Sequence, residues 1–139
     1  MSSGVALPRL LCAALLAVSC SRGSSPRSVD AGLMCSSLPD TDSGGGRKSA
    51  QIKRKVREHL DAFETCYRAA LRRDPKAAGR VETRFVIDAD GSVSSACIHK
   101  TTLEDGEAVE CMLDEFRNVR FGAAKGSVTV VYPLSYSPG

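Results

Sequence analysis

The order of apolar and polar residues changes period several times along the chain, and each change marks an element. From about Ala50 to Arg73, Ile52, Val56, Leu60, Phe63, Tyr67 and Ala70 recur at intervals of three and four. That spacing draws one apolar stripe along a helix. Pro75 disfavours helical geometry at Asp74 and ends the pattern there. In Gly79-Arg-Val-Glu-Thr-Arg-Phe-Val-Ile87 the period falls to two, with Val81, Thr83, Phe85 and Ile87 on one face of a strand. Asp88-Ala-Asp-Gly91 reverses the chain, Gly91 supplying the positive φ that such a turn requires. The return strand runs through Val93, Ala96 and Ile98, and its broken alternation predicts a bulge near Ser94 and Ser95.

Helical spacing returns after the hairpin. Asp105 is placed to cap a helix whose apolar face is Val109, Met112, Leu113, Phe116 and Val119. Residues 127–136 alternate again, and Pro133, which has no ladder donor, assigns that strand to a sheet edge. A two-stranded hairpin with one apolar face is not stable alone in water. The helices must therefore cover it. The expected class is α+β, a three-stranded antiparallel sheet with two helices on one face, in the order α-β-β-α-β.

The chain has 139 residues, enough for one ordinary domain plus short extras. Its start does not belong to that domain. Arg9 precedes the apolar run Leu10 to Val18, which is too short for a stable membrane span and is followed by small residues, as in an export signal. Leu16-Ala-Val-Ser-Cys20 resembles the bacterial lipobox, with Ala17 where that motif prefers leucine. The resemblance implies that residues 1–19 are a signal peptide and that Cys20 is lipidated. An ordinary signal cut nearby, with Cys20 incidental, is the alternative. Residues 20–49 are rich in Ser, carry Gly44-Gly-Gly46 and show no apolar period. They read as a flexible tether, leaving residues 50–139 as the domain.

Charge adds little. Without Arg9 the mature chain keeps 18 basic and 16 acidic residues, too even a balance to argue for nucleic acid. The helix over 50–73 is basic on its polar side, through Lys53, Arg54, Lys55, Arg57, Arg68, Arg72 and Arg73. A solvated face explains that pattern, and a docking patch for an acidic partner is the sharper alternative. Export places the remaining cysteines where thiols oxidise. Setting Cys12 and Cys20 aside leaves Cys35, Cys66, Cys97 and Cys111, which permit three pairings. If both helices lie on one face, the flanks carrying Cys66 and Cys111 meet, and a bridge between them would join helix to helix.

Catalysis finds little support. His59 and His99 are the two histidines, the first beside an apolar stripe and the second at a strand end. No Cys-x-x-Cys or His-x-x-x-His spacing suggests zinc. Asp88-Ala-Asp90-Gly91 lacks the further acidic positions of a calcium loop and reads as a turn. No enzyme activity, cofactor or metal is expected.

The same segments carry a family resemblance. Gly79 through Ile87, Asp90-Gly-Ser-Val93, Val109 through Phe121 and the valine-rich last strand resemble the TonB C-terminal domain, and more closely the AgmX/PglI-type C-terminal domain. A Cys-Tyr pair in the first helix is matched by Cys66-Tyr67, a cysteine in the second helix by Cys111, and Thr-Val-x-Tyr-Pro by Thr129 to Pro133. Two departures stand out. Val119-Arg-Phe-Gly122 occupies the place of Trp-Arg-Phe-Pro, and Cys97 replaces an ordinary residue. By the hairpin register Cys97 points to the helix-free side of the sheet, so a Cys35–Cys97 bridge would fold the tether back over that face.

The resemblance implies a non-catalytic interaction module of the cell envelope, recognising an extended partner segment by β-augmentation at a strand edge. The edge residues are Ser127, Val128, Thr129, Val130, Val131 and Tyr132. The expected partner is an envelope protein of unknown identity, with the membrane engaged through the N-terminal lipid on the periplasmic side, as in an outer-membrane lipoprotein. A purely structural envelope lipoprotein without a peptide site is the first alternative, and an exported enzyme or metal protein the second.

Overall fold

The structure, a computed structural model, describes residues 28–36 and 46–139. The expected signal segment 1–19 and the expected lipidation position Cys20 lie outside the described residues. Three helices, α1 (Ser49–Arg57), α2 (Leu60–Arg73) and α3 (Gly106–Asn118), accompany three strands, β1 (Gly79–Ile87), β2 (Val93–Thr101) and β3 (Val128–Tyr136). The strands form one antiparallel sheet in the order β2-β1-β3. This is the expected α+β arrangement, with one difference. The helix anticipated over 50–73 is interrupted at Glu58–His59, where His59 takes φ −104° and ψ 7° and its N–H turns to the Val56 carbonyl. The break separates the buried pair Ile52 and Val56 from Phe63, Cys66, Tyr67 and Ala70. Leu60, on the expected stripe, is consequently 43% exposed.

Strand alternation decides which side of the sheet is covered. Val81, Phe85 and Ile87 are fully buried beneath the helices, and their partners Ala96, Val93, Leu134, Val130 and Val128 share that face. Between β1 and β2 the pairing passes from Val86↔Ser95 to Ile87↔Val93, leaving Ser94 as an extra residue, where the broken alternation places a bulge. A second shift, between Glu82↔Lys100 and Thr83↔Ile98, leaves out His99. The first bulge keeps Val93 on the same face as Ala96 and Ile98 despite the interval of three between Val93 and Ala96.

Phe116 of α3 joins the layers. Its ring centroid lies 4.6 Å from that of Phe63 on α2, 5.0 Å from Phe85 on β1 and 6.3 Å from Tyr132 on β3. Val119 and Phe121 are buried in the core beyond it, so this region stays apolar without an indole. Gly91, at φ 92°, closes the hairpin against the next loop. A Cβ there would stand 2.4 Å from the Phe121 carbonyl oxygen, while the Phe121 N–H donates to the Gly91 carbonyl at 2.8 Å.

Two linkages hold α2 to α3. Cys66 and Cys111 form a disulfide across a sequence separation of 45. In the chain-entropy account such a loop is worth roughly 4 kcal/mol. At the other end, the Arg73 guanidinium donates from Nε to Asp105 Oδ2 and from a terminal nitrogen to Oδ1, both at 2.7 Å. Asp105 also caps α3, accepting from the Ala108 N–H at 2.9 Å. Its carboxyl is held below the ordinary carboxylate range chiefly by the Arg73 hydrogen bond, against the opposing effect of burial.

A depressed folded-state value means that the unfolded chain takes up this proton first. The stabilisation is therefore complete above about pH 4 to 5 and is lost as pH falls through the folded value. Asp105→Asn keeps a capping oxygen and is expected to lower stability at neutral pH by about 2 to 4 kcal/mol through the broken ion pair. It should also flatten the acid limb. Urea denaturation midpoints of both proteins from pH 7 down to pH 2 check this, and parallel acid limbs would contradict it.

Candidate functional site

A three-stranded sheet has two edges, and this one treats them differently. β2 forms the first. Residues 28–36, within the stretch expected to be tether, lie against the domain here. Ala31–Leu33 makes one 3-10 turn, Met34 bridges Ile98 in parallel register, and the Cys35 N–H donates to the Ile98 carbonyl at 2.9 Å. Cys35 and Cys97 are joined by a disulfide with their Cα atoms 5.0 Å apart. Val29 and Leu33 pack against the core. The tether therefore does not stay clear of the domain over its whole length, because two apolar side chains and a covalent bond fix this part. Its main chain meets the β2 edge, whereas folding over the helix-free face was the expectation.

β3 forms the second edge, and its outward groups follow from the ladder. The Arg80 carbonyl accepts from the Thr102 N–H and the Arg80 N–H donates to Thr102 Oγ1, both at 2.8 Å, so Arg80 faces β2. Alternation then turns Val81, Thr83, Phe85 and Ile87 toward β3. Their partners Leu134, Tyr132, Val130 and Val128 turn back toward β1. Val131, Pro133 and Ser135 direct their main-chain groups the other way, and Pro133, which lacks an N–H, fits that outward phase. Among the described residues no strand pairs with this side of β3.

The six expected edge residues divide by face. Val128, Val130 and Tyr132 are partly buried on the helix side and belong to the sheet's own packing. Thr129 lies on the opposite face with Val131. Val131 is 46% exposed, opposite Arg84. Ser127 precedes the strand and donates to Asp88 Oδ1 at 3.3 Å, tying the start of β3 to the hairpin turn. At the far end Tyr136 stacks on Tyr67 with ring centroids 4.6 Å apart. Its phenol is pushed up to about 12, first by burial and then by the charge of Glu64. Both ends of β3 are thus anchored, while among the described residues no strand lies along its outer side.

The remaining chemistry is sparse. His59 sits at the α1–α2 break and His99 is exposed at the second bulge of β2. No group of three or more His, Cys, Asp or Glu among the described residues could hold a metal ion. No helix among them is long and apolar enough to cross a membrane. Pro133 was the sequence signal for the β3 edge. Nothing comparable marked β2 as the edge closed by residues 34 and 35, except the unusual cysteines.

Comparison with known proteins adds one solved structure. The chain is similar to the TonB-CTD of Helicobacter pylori (residues 179–285, an NMR solution structure) at 24% sequence identity and a TM-score of 0.39, over 58% of this chain and 80% of that one. No family model matches the chain, and no curated protein matches it.

The covalent tie at β2 makes a direct prediction. Unreduced, denatured protein should leave Cys35, Cys66, Cys97 and Cys111 unmodified by iodoacetamide, and reduction should expose all four to it. Mass spectrometry of the peptides checks this. Alkylation of Cys35 without reduction would contradict the closed edge.

Proposed function

We propose that this domain is a non-catalytic interaction module of the cell envelope, which receives an extended segment of an envelope protein as a fourth strand along β3. The observation that carries this reading is the contrast between the two edges. β2 is occupied by the chain's own residues 34 and 35, while β3 presents outward main-chain groups at Val131 and Ser135 on a strand anchored at both ends. An added strand would exchange main-chain hydrogen bonds there, each worth about 0.5 to 1.5 kcal/mol net. The exposed Val131 side chain would contact alternate residues of the incoming segment.

The export signal, the lipobox-like Cys20 and the Ser-rich segment before the domain support an exported, lipid-anchored protein on the periplasmic side, as in an outer-membrane lipoprotein. The motifs shared with AgmX/PglI-type domains support the same setting. A lipid anchor would hold the module at a membrane surface and let β3 address a partner within reach of the tether. Pro133 limits the usable edge, so the favoured register centres on Val131.

The same geometry selects the test position. Val128 and Val130 face β1 and the core, so proline at either would damage the sheet itself. Val131→Pro removes only an outward N–H. The full chain and its Val131→Pro variant are used as baits in crosslinked envelope extract, with thermal unfolding confirming that both are folded. A partner captured by the wild type and reduced about tenfold by the variant, as loss of a strand-edge donor and its register implies, supports augmentation. Equal capture by a folded variant moves the site away from β3, and no specific capture favours a purely structural lipoprotein.

A further inference from the structure

A second feature lies at the end of the domain where α1 begins. A cavity of about 220 Å³ opens between α1 and the loop after α3, lined by Arg47, Gln51, Arg54, Lys55, Phe121 and Gly122. Arg47 is held firmly. Its guanidinium donates to the carbonyl oxygens of Gly122 at 2.6 Å, Asp88 at 2.8 Å and Phe121 at 3.2 Å. These acceptors are neutral, so they orient the cation without cancelling its charge. Its Nε is buried with no hydrogen-bond partner. The Asp88 carboxylate accepts instead from the hydroxyls of Ser94 and Ser127. Lys55 is paired with Glu58, and the charge of Arg54 also acts on that carboxylate.

The surroundings extend this charge. Residues 43–57 contain Arg47, Lys48, Lys53, Arg54, Lys55 and Arg57 and no acidic residue. Residues 104–115, on and before α3, contain Glu104, Asp105, Glu107, Glu110, Asp114 and Glu115 and no basic one. α2 and α3 run antiparallel, since Arg73 at the end of α2 meets Asp105 at the start of α3, while Phe63 meets Phe116. The basic α1 therefore lies beyond the C-terminal end of α3, away from the acidic cap. An anionic surface would attract the first region and repel Glu104 and Glu107 at the start of α3, and so orient the whole domain.

We propose that this basic end binds the phosphate groups of anionic lipid headgroups, one phosphate seated in the cavity against Arg47 and Arg54. A single soluble phosphate would use only the cavity. Lys48, Lys53 and Arg57 spread exposed charge well beyond it, which suits an array of phosphates in a bilayer surface. Ile52 and Val56 are buried in the domain, so α1 has no apolar face left to insert. The contact is electrostatic, superficial and sensitive to salt. It is independent of the β3 edge and leaves that edge available.

The test uses the full chain with its disulfides formed, cosedimented with vesicles of phosphatidylcholine alone or with added phosphatidylglycerol. The expected result is tighter binding to the anionic vesicles that weakens with sodium chloride. Lys53→Glu/Arg54→Glu/Arg57→Glu should reduce that binding about tenfold or more, since each basic residue near such a surface contributes roughly fivefold. Arg68→Glu/Arg72→Glu/Lys76→Glu changes net charge equally on exposed positions of α2 and the following turn, and should leave most of it. Circular dichroism confirms the fold of both variants. Equal losses in the two variants, or equal binding to the two vesicle types, would overturn the proposal. Saturable shifts of the Gln51 and Arg47 NMR signals by inorganic phosphate, with vesicle binding unchanged in the α1 variant, would reassign the cavity to a soluble phosphate and also overturn it.

Discussion

The unsatisfied main chain of a strand edge is the constraint from which the organisation of this domain follows. A sheet of three strands needs a core on at least one face, and its outer strands carry groups that β1 cannot pair. Here the core is supplied by α2 and α3, locked to each other by Cys66–Cys111 and by the Arg73–Asp105 pair. The edges are handled separately. β2 receives residues 34 and 35, fixed covalently through Cys97. β3 is anchored by Ser127 at one end and Tyr136 at the other, and among the described residues no strand pairs with its outer side.

That division makes the two disulfides different in kind. Cys66–Cys111 links helices within the core layer and acts on stability. Cys35–Cys97 links an N-terminal segment to a strand edge and acts on which surface the sheet offers. Its separation of 62 residues gives it a comparable entropic effect in the unfolded chain. Its structural consequence lies at the surface, where it holds the chain's own residues 34 and 35 against β2 at Ile98. The basic α1 end is a third feature, held by Arg47 across the hairpin turn and the 121–122 carbonyls.

Much of the fold was legible because its determinants are local. The period-two faces of β1 and β3, the Asp105 cap, the turn at Gly91 and the bulge at Ser94 all leave a signature within a few residues. The interruption at Glu58–His59 was not legible, because an interval of four continues through Leu60 and only the packed core shows that this side chain is left out. The docking of residues 28–36 depends on contacts across more than sixty positions and lies in a Ser-rich stretch whose composition argues for a tether. The phase of β3 was legible only through Pro133. Which β3 groups point outward needed the register with β1, and that register singles out Val131 among the six expected edge residues.

The central claim is that, among the described residues, β2 carries the chain's own residues 34 and 35 at Ile98 while the outer side of β3 carries no strand. Residue-resolved amide hydrogen exchange of the isolated protein tests it most directly. The Val130 and Tyr132 N–H groups, bonded toward β1, should be protected together with the Cys35 N–H on the β2 side. The Val131 and Ser135 N–H groups should exchange rapidly, as solvent-facing amides do. Protection of Val131 equal to that of its neighbours would mean that β3 is already covered, and the account of an edge awaiting a partner would fail.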